Sequence, residues 1–150
     1  MLRPTLHAMN ANNPPAPLVL HQIRDAAERI GRAEDCRLVV LFGSAARGDP
    51  HPGDWDLAIL GEAPLDEVAV ANSFIQMLRV QAVDVCDLRR TDPLLMMLVV
   101  RDGIPLYERS AGEFARFASL AVRRYADTRK FRQVERREIQ DILAGLPQGS

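Results

Sequence analysis

Two aspartates separated by one residue, Asp54 and Asp56, are the side chains of this sequence best placed for metal chemistry. They stand at the start of an apolar, strand-like run that begins at Trp55 and ends before Gly61. Side chains alternate between the two faces of a strand, so both carboxylates point to one face and Trp55 points to the other, toward the core. Two carboxylates on one face are typical ligands of a hard cation such as Mg²⁺.

A third acid, Asp84, opens another apolar run over residues 83–88. If the two strands are neighbours, the Asp84 carboxylate joins the first two, and three clustered carboxylates repel one another unless cations lie among them. We therefore predict Asp54, Asp56 and Asp84 as both metal ligands and catalytic residues, with Asp84 taking up or orienting the proton of the nucleophile. Asp87 alternates to the opposite face, where we expect solvent or a helix cap.

A Gly-Ser turn, Gly43-Ser44, follows the apolar run of residues 37–42. The missing side chain of Gly43 lets the backbone approach a ligand, and the Ser44 hydroxyl and the following N–H groups can bind phosphate oxygens. Arg47 either contacts phosphate or pairs with a loop acid such as Asp49. The turn predicts a triphosphate-binding site at Gly43, Ser44 and Arg47.

The elements that must position these residues follow from hydrophobic periodicity and turn signals. We predict a first helix from about residue 17, ended by Gly31, and a helix that starts at Asp92-Pro93 and runs to about Arg101. Strands are expected over residues 37–42, 55–60, 83–88 and, at an edge, 104–107. A crossover helix is expected over residues 65–80 and two more helices within 111–143. The order predicts an α/β (α+β) fold, with a small mixed sheet flanked by helices.

A chain of 150 residues has the usual length of one domain. We expect a flexible arm over residues 1–16, a core over 17–109, and a C-terminal helical extension over 110–150 that packs on the core or on a partner. His51, in a Pro-flanked loop, is expected to be exposed. Arginines of the extension form either a solvated basic face or a docking surface: Arg123, Arg124, Arg132, Arg136 and Arg137.

The composition is that of an ordinary globular protein, with 47% hydrophobic and 26% charged residues and a formal net charge of −1. No apolar run approaches the length of a membrane span and no signal-peptide pattern opens the chain, which predicts a cytoplasmic protein that is not bound to membranes. The charge balance gives no sign of direct nucleic-acid binding. Cys36 and Cys86 lack metal-type spacing and are expected to be reduced residues of the core or of strands.

Taken together, Gly43-Ser44, the spacer and Asp54-x-Asp56 resemble the signature of the DNA polymerase beta-like nucleotidyltransferase superfamily. The fuller string Gly-Ser-x-Ala-Arg-Gly, residues 43–48, resembles that of its minimal (MNT) branch. The similarity continues through residues 83–88, through Asp92-Pro93-Leu94 and through residues 103–108. It covers roughly residues 20–126, and it implies the polymerase beta-like nucleotidyltransferase fold.

The resemblance also implies an activity. Members of this size are typically antitoxins paired with a HEPN-type toxin ribonuclease, and the best-understood ones transfer AMP from ATP to a tyrosine of that toxin. It therefore implies a Mg²⁺-dependent protein adenylyltransferase with ATP as co-substrate and a HEPN-type toxin as partner. Asp54, Asp56 and Asp84 match the three acids of the family, and Gly43 and Ser44 match its phosphate-binding turn.

Two other functions stay open at this point. One is a non-catalytic antitoxin that neutralises its toxin by contact, since the spacer between Ser44 and Asp54 is one residue shorter than is usual in the branch. The other is nucleotide transfer to a small molecule, which is weaker because such enzymes usually add a second domain that shapes the acceptor pocket.

Overall fold

The computed structural model describes residues 17–49 and 54–145. The expected arm over residues 1–16 and the expected exposure of His51 lie outside the described residues. Within them the elements are, in chain order, α1 (Pro17–Ala33), β1 (Cys36–Phe42), α2 (Gly43–Ala46), β2 (Trp55–Gly61), α3 (Glu67–Leu78), β3 (Val83–Asp87), α4 (Pro93–Asp102), β4 (Ile104–Glu108), α5 (Glu113–Asp127) and α6 (Arg129–Gly145).

Four strands form one mixed sheet in the order β3-β2-β1-β4. β1 pairs antiparallel with β2 on one side and with β4 on the other, whereas β2 and β3 are parallel. The parallel pair requires a crossover, and α3 supplies it, as the sequence predicted. The predicted fold class, a small mixed sheet flanked by helices, is confirmed.

Side chains of β1 alternate between two hydrophobic cores, one on each face of the sheet. Val39 and Leu41 belong to the core that also contains Ile23 of α1 and Phe74 of α3. Leu38 and Val40 point the other way, into a core that is completed by residues of α4 and α5. Because both faces of β1 are covered, its residues 38–42 are continuously apolar instead of alternating.

α4 begins where the sequence predicts, and α3, expected from residue 65, begins at Glu67 after the same kind of cap. The Asp92 side chain accepts a hydrogen bond from the Leu95 N–H, at 3.0 Å, and caps α4, with Pro93 at its first position. Asp66 caps α3 in the same way through the Ala69 N–H, at 3.1 Å. Each aspartate satisfies a backbone donor that lacks a partner within the helix.

The predicted stop of the first helix at Gly31 is wrong, because α1 continues through Gly31 to Ala33. A Cβ atom at Gly31 would lie 2.6 Å from Cδ1 of Tyr107 on β4. Glycine is present here because the helix packs closely on that ring, and not because the helix ends. A glycine near the end of a periodic pattern signals a helix end only when tertiary packing does not require it inside.

No helix among the described residues is long and apolar enough to cross a membrane.

Candidate active site

Asp56 and Asp84 are direct partners in the register of the parallel strands β2 and β3. Both strands place these carboxylates on the sheet face that α4 covers, and Trp55, which is 4% exposed, points into the opposite core as predicted. Asp56 is half-buried and Asp84 is exposed. The sheet therefore holds two of the three predicted acids side by side.

Asp54 lies just before β2 and is exposed. Burial raises the pKa of the Asp56 carboxyl above its usual range, and the negative charges of Asp84 and Asp54 raise it further, whereas Arg47 lowers it. The charges of Asp54 and Asp84 thus both act on the Asp56 carboxylate. A cation near Asp56 would relieve this repulsion.

The Gly43 backbone approaches Asp56 more closely than any side chain would allow. Gly43 has a φ of +71°, and a Cβ atom built there would overlap Oδ2 of Asp56. Both observations require glycine at this position. The end of β1 and the acid pair are consequently held together, so a group bound at the Gly43-Ser44 turn lies next to Asp56.

Arg47 follows α2 and is paired with an acid that the sequence analysis did not single out. Its Nη1 lies 3.3 Å from Oδ2 of Asp102, at the end of α4. Asp102 also accepts a hydrogen bond from Arg101, and this bond is the main cause that lowers the pKa of its carboxyl. Arg47 is exposed, so it remains accessible to a phosphate while Asp102 holds it beside the turn.

A cleft of about 380 Å³ lies beside the acid pair, between β2, β3 and the start of α4. Its walls include Asp56, Asp84 and Asp92 together with Glu67 and one basic residue, Arg90. Neither Glu67 nor Arg90 was predicted from the sequence. The position of Arg90, just after a strand of the predicted site, is the signal that could have found it.

The expectation for Asp87 is wrong in one respect. Asp87 does point away from Asp84, but it is 2% exposed and neither faces solvent nor caps a helix. Its carboxylate accepts hydrogen bonds from the backbone N–H groups of Leu65, at 3.2 Å, and Arg89, at 2.9 Å. Asp87 therefore fixes the loops that follow β2 and β3, because a buried carboxylate needs such donors.

The donor set suits Mg²⁺, because Asp54, Asp56 and Asp84 offer only hard oxygen ligands and Asp56 is destabilised by its like-charged neighbours. In the described part of the chain, no three side chains of the metal-ligating types are already grouped closely enough to enclose an ion. Mg²⁺ commonly keeps several of its waters and takes phosphate oxygens as well, so a few carboxylates are sufficient.

The model of one protein family, Polymerase beta, Nucleotidyltransferase, matches residues 25–112. This segment runs from α1 to the turn before α5 and includes the whole sheet and all the predicted site residues. None of the curated protein sequences compared with this chain matches it significantly.

Solved structures show the same fold. A crystal structure of a toxin-antitoxin with AMP-PNP matches 81% of this chain and 98% of its own, with a TM-score of 0.65 and 26% identity. The toxin-antitoxin MntA-HepT matches 81% of this chain and 97% of its own, with a TM-score of 0.59 and 25% identity. The tri-AMPylated Shewanella oneidensis HEPN toxin in complex with MNT antitoxin matches 84% and 99%, with a TM-score of 0.62 and 24% identity.

These matches confirm the resemblance to the minimal nucleotidyltransferases that the Gly43-Ser44 and Asp54-x-Asp56 motifs indicated. The family model covers more than half of the chain, from residue 25 to residue 112. The chain belongs to the Polymerase beta nucleotidyltransferase family.

Proposed function

We propose that this protein is the antitoxin of a toxin–antitoxin pair and acts as a protein adenylyltransferase, transferring AMP from ATP to a tyrosine of a HEPN-type toxin. The observation that carries the proposal is the register pair of Asp56 and Asp84 beside the Gly43-Ser44 turn. This arrangement supports the proposal because it sets the turn that would bind phosphate against carboxylates that can orient an acceptor hydroxyl.

In the proposed reaction the acceptor oxygen bonds to the α-phosphorus as the bond to the β-phosphate oxygen breaks, and pyrophosphate leaves. Gly43 and Ser44 hold the phosphates, and Arg47 contributes positive charge beside them. Asp84, the more exposed of the register pair, orients the acceptor hydroxyl and takes up its proton. Mg²⁺ bound to Asp54, Asp56 and Asp84 would neutralise the charge that develops on the departing phosphates.

The similar solved structures support the choice of nucleotide and partner. One contains AMP-PNP, an ATP analogue, and another contains a HEPN toxin that carries AMP groups. Arg90 also supports nucleotide binding: it lies 4.0 Å from the Asp87 carboxylate, stays largely exposed, and gives an otherwise acidic cleft its one positive group. A cleft of this size holds part of a nucleotide and leaves the remainder open to an acceptor side chain.

The proposal predicts that incubation with ATP, Mg²⁺ and the HEPN-type protein encoded beside this one adds AMP to a tyrosine of that protein. Intact-mass and peptide mass spectrometry measure the addition. Asp54→Asn with Asp56→Asn should reduce it at least about a hundredfold, because both ligands lose their charge. The matched control is Asp25→Asn with Asp127→Asn, which removes the same charge from exposed helix positions and should leave the rate unchanged.

Two results would contradict the proposal. If the double variant at the acids still neutralises the toxin and no AMP appears on it, the protein acts by contact alone. If AMP appears only on small hydroxyl compounds and never on the toxin, the acceptor is a small molecule.

A further inference from the structure

Helix α6 carries an apolar face that no described part of the chain covers. Phe131, Val134 and Ile142 are 73%, 53% and 64% exposed, and their spacing places them on one side of the helix. Glu135 and Glu138 fall on the same side, each four residues after one of these apolar positions. The face is therefore apolar with two acids at its centre.

The junction with α5 prevents α6 from covering its own domain. Thr128, the single residue between the helices, keeps a helical backbone with φ −82° and ψ −4°, and its N–H donates to the Arg124 carbonyl at 3.3 Å. The Arg132 guanidinium stacks on the Tyr125 ring at 3.6 Å and donates to the Tyr125 carbonyl at 2.9 Å. Reversal of a helix needs a loop of several residues, so α6 continues onward from α5.

A second uncovered surface lies on the same chain, beside α5. It is a cleft of about 380 Å³ on the sheet face that α4 and α5 cover, and it shares none of its lining residues with the cleft beside the acid pair. Its apolar wall includes Leu60, Leu88, Phe117 and Leu120. Its rim contains five arginines: Arg37, Arg89, Arg116, Arg123 and Arg124.

The positive charge of this cleft is only partly neutralised from within. Glu113 lies at the base and pairs with Arg37 at 3.1 Å and with Arg116 at 3.2 Å. The side chains of Arg123 and Arg124 are exposed and form no ion pair with any residue that the structure describes. The cleft is thus suited to an apolar segment that carries acids.

We propose that the cleft receives α6 of a second copy of this chain, with Glu135 and Glu138 of one copy facing Arg123 and Arg124 of the other. The two surfaces are complementary in both polarity and charge. Because α6 continues from α5, two copies related by a twofold axis bury both α6 helices at once. Each α6 is 17 residues long, which gives about 25 Å of helix to each of the two contacts.

This dimer does not depend on nucleotide transfer, so it is tested on the full chain without ATP or toxin. Sedimentation equilibrium over a concentration series measures the dissociation constant. Glu135→Arg with Glu138→Arg should raise it at least about tenfold, and so should Arg123→Glu with Arg124→Glu, because each leaves like charges facing one another. The chain that carries all four changes should recover most of the lost affinity, since the charges are then exchanged.

The matched control for the α6 variant is Asp25→Arg with Glu28→Arg on α1. It makes the same change of net charge as Glu135→Arg with Glu138→Arg, but away from both surfaces, and should leave the dissociation constant unchanged. The proposal is overturned if the unmodified chain stays monomeric up to about 100 μM, or if the fourfold variant is no tighter than either double variant. It is also overturned if the α6 variant loses toxin binding while the unmodified chain alone shows no dimer.

Disulfide trapping adds a geometric test. Arg124→Cys with Glu138→Cys, in a chain where Cys86 is replaced by Ala, should form a covalent dimer under mild oxidation. A disulfide within one chain would show that α6 folds back, and would overturn the proposal. The control pair, Arg124→Cys with Gln140→Cys, places the second thiol on the opposite side of α6 and should give far less dimer.

Discussion

Gly43 couples the turn that we propose binds phosphate to the acid pair, because its positive φ and its closeness to Asp56 leave no room for a side chain. We expect Gly43→Ala to lower the transfer rate at least about tenfold, since the turn or the Asp56 carboxylate must move. Gly112→Ala is the matched control. Its φ of +89° gives similar backbone strain, but only the Arg116 side chain lies near a new Cβ. If both variants lose activity equally, the loss comes from stability and not from the site.

Glu113 is one of two buried acids among the described residues, the other being Asp87, and it is paired with two arginines. Burial alone would raise the pKa of its carboxyl, but the hydrogen bonds and charges of Arg37 and Arg116 outweigh burial and lower the pKa below its usual value. A lowered pKa in the folded state means that the charged form stabilises the fold above the unfolded value. That contribution is lost as the pH falls below about 4.5 toward the folded value.

We therefore expect Glu113→Gln to lower the free energy of unfolding by about 1–3 kcal/mol at pH 7, because two charged hydrogen bonds are weakened in a buried place. The difference from the unmodified protein should shrink as the pH falls below 4.5. Urea unfolding at pH 7 and at acid pH measures both values. If the difference in unfolding free energy does not depend on pH, the substituted amide destabilises the fold for steric reasons. The charge of Glu113 then makes no contribution to stability.

At the scale of elements, the aspartates that cap α3 and α4 allow an effect on stability to be separated from an effect on nucleotide binding. Asp66→Ala and Asp92→Ala each remove one side-chain acceptor from a helix start, and each should cost about 1 kcal/mol of unfolding free energy. Only Asp92 lines the cleft beside the acid pair.

The two variants should therefore be equally stable, whereas Asp92→Ala alone should strengthen ATP binding, because it removes a negative charge from the cleft proposed to hold part of the nucleotide. Denaturant unfolding and calorimetric titration with ATP and Mg²⁺ separate these effects. Equal ATP affinity in both variants would show that the start of α4 plays no part in nucleotide binding.

For the whole molecule, local patterns predicted the elements well because each follows from residues near in sequence. The alternation around Asp56 and the Asp92-Pro93 start of α4 are examples, and the structure has both. What local patterns could not supply is contact between distant segments. The packing of Tyr107 on Gly31, the pairing of Arg47 with Asp102, and the burial of Asp87 all join residues that the chain separates widely.

The candidate site shows the same contrast between local sequence patterns and contacts between distant segments. Strand alternation put Asp56 and Asp84 on faces that could meet, but only the order β3-β2-β1-β4 makes them register partners. The closeness of Gly43 to Asp56 likewise depends on the antiparallel pairing of β1 with β2. Sequence motifs could nominate the residues, and the sheet topology explains why they lie together.

The last prediction concerns α6, a helix of 17 residues, none of which is buried in the described domain. Its attachment rests on the Arg132–Tyr125 stack and on backbone hydrogen bonds at Thr128. Removal of residues 129–150 should therefore change the unfolding free energy of the monomer by no more than about 1 kcal/mol.

Urea unfolding at low protein concentration, followed by circular dichroism, tests this. Concentration matters because the proposed dimer would stabilise the full chain by mass action at higher concentration. The full chain should then gain stability as its concentration rises, and the shortened chain should not. A shortened chain that is far less stable even at low concentration would show that α6 belongs to the core of a single domain.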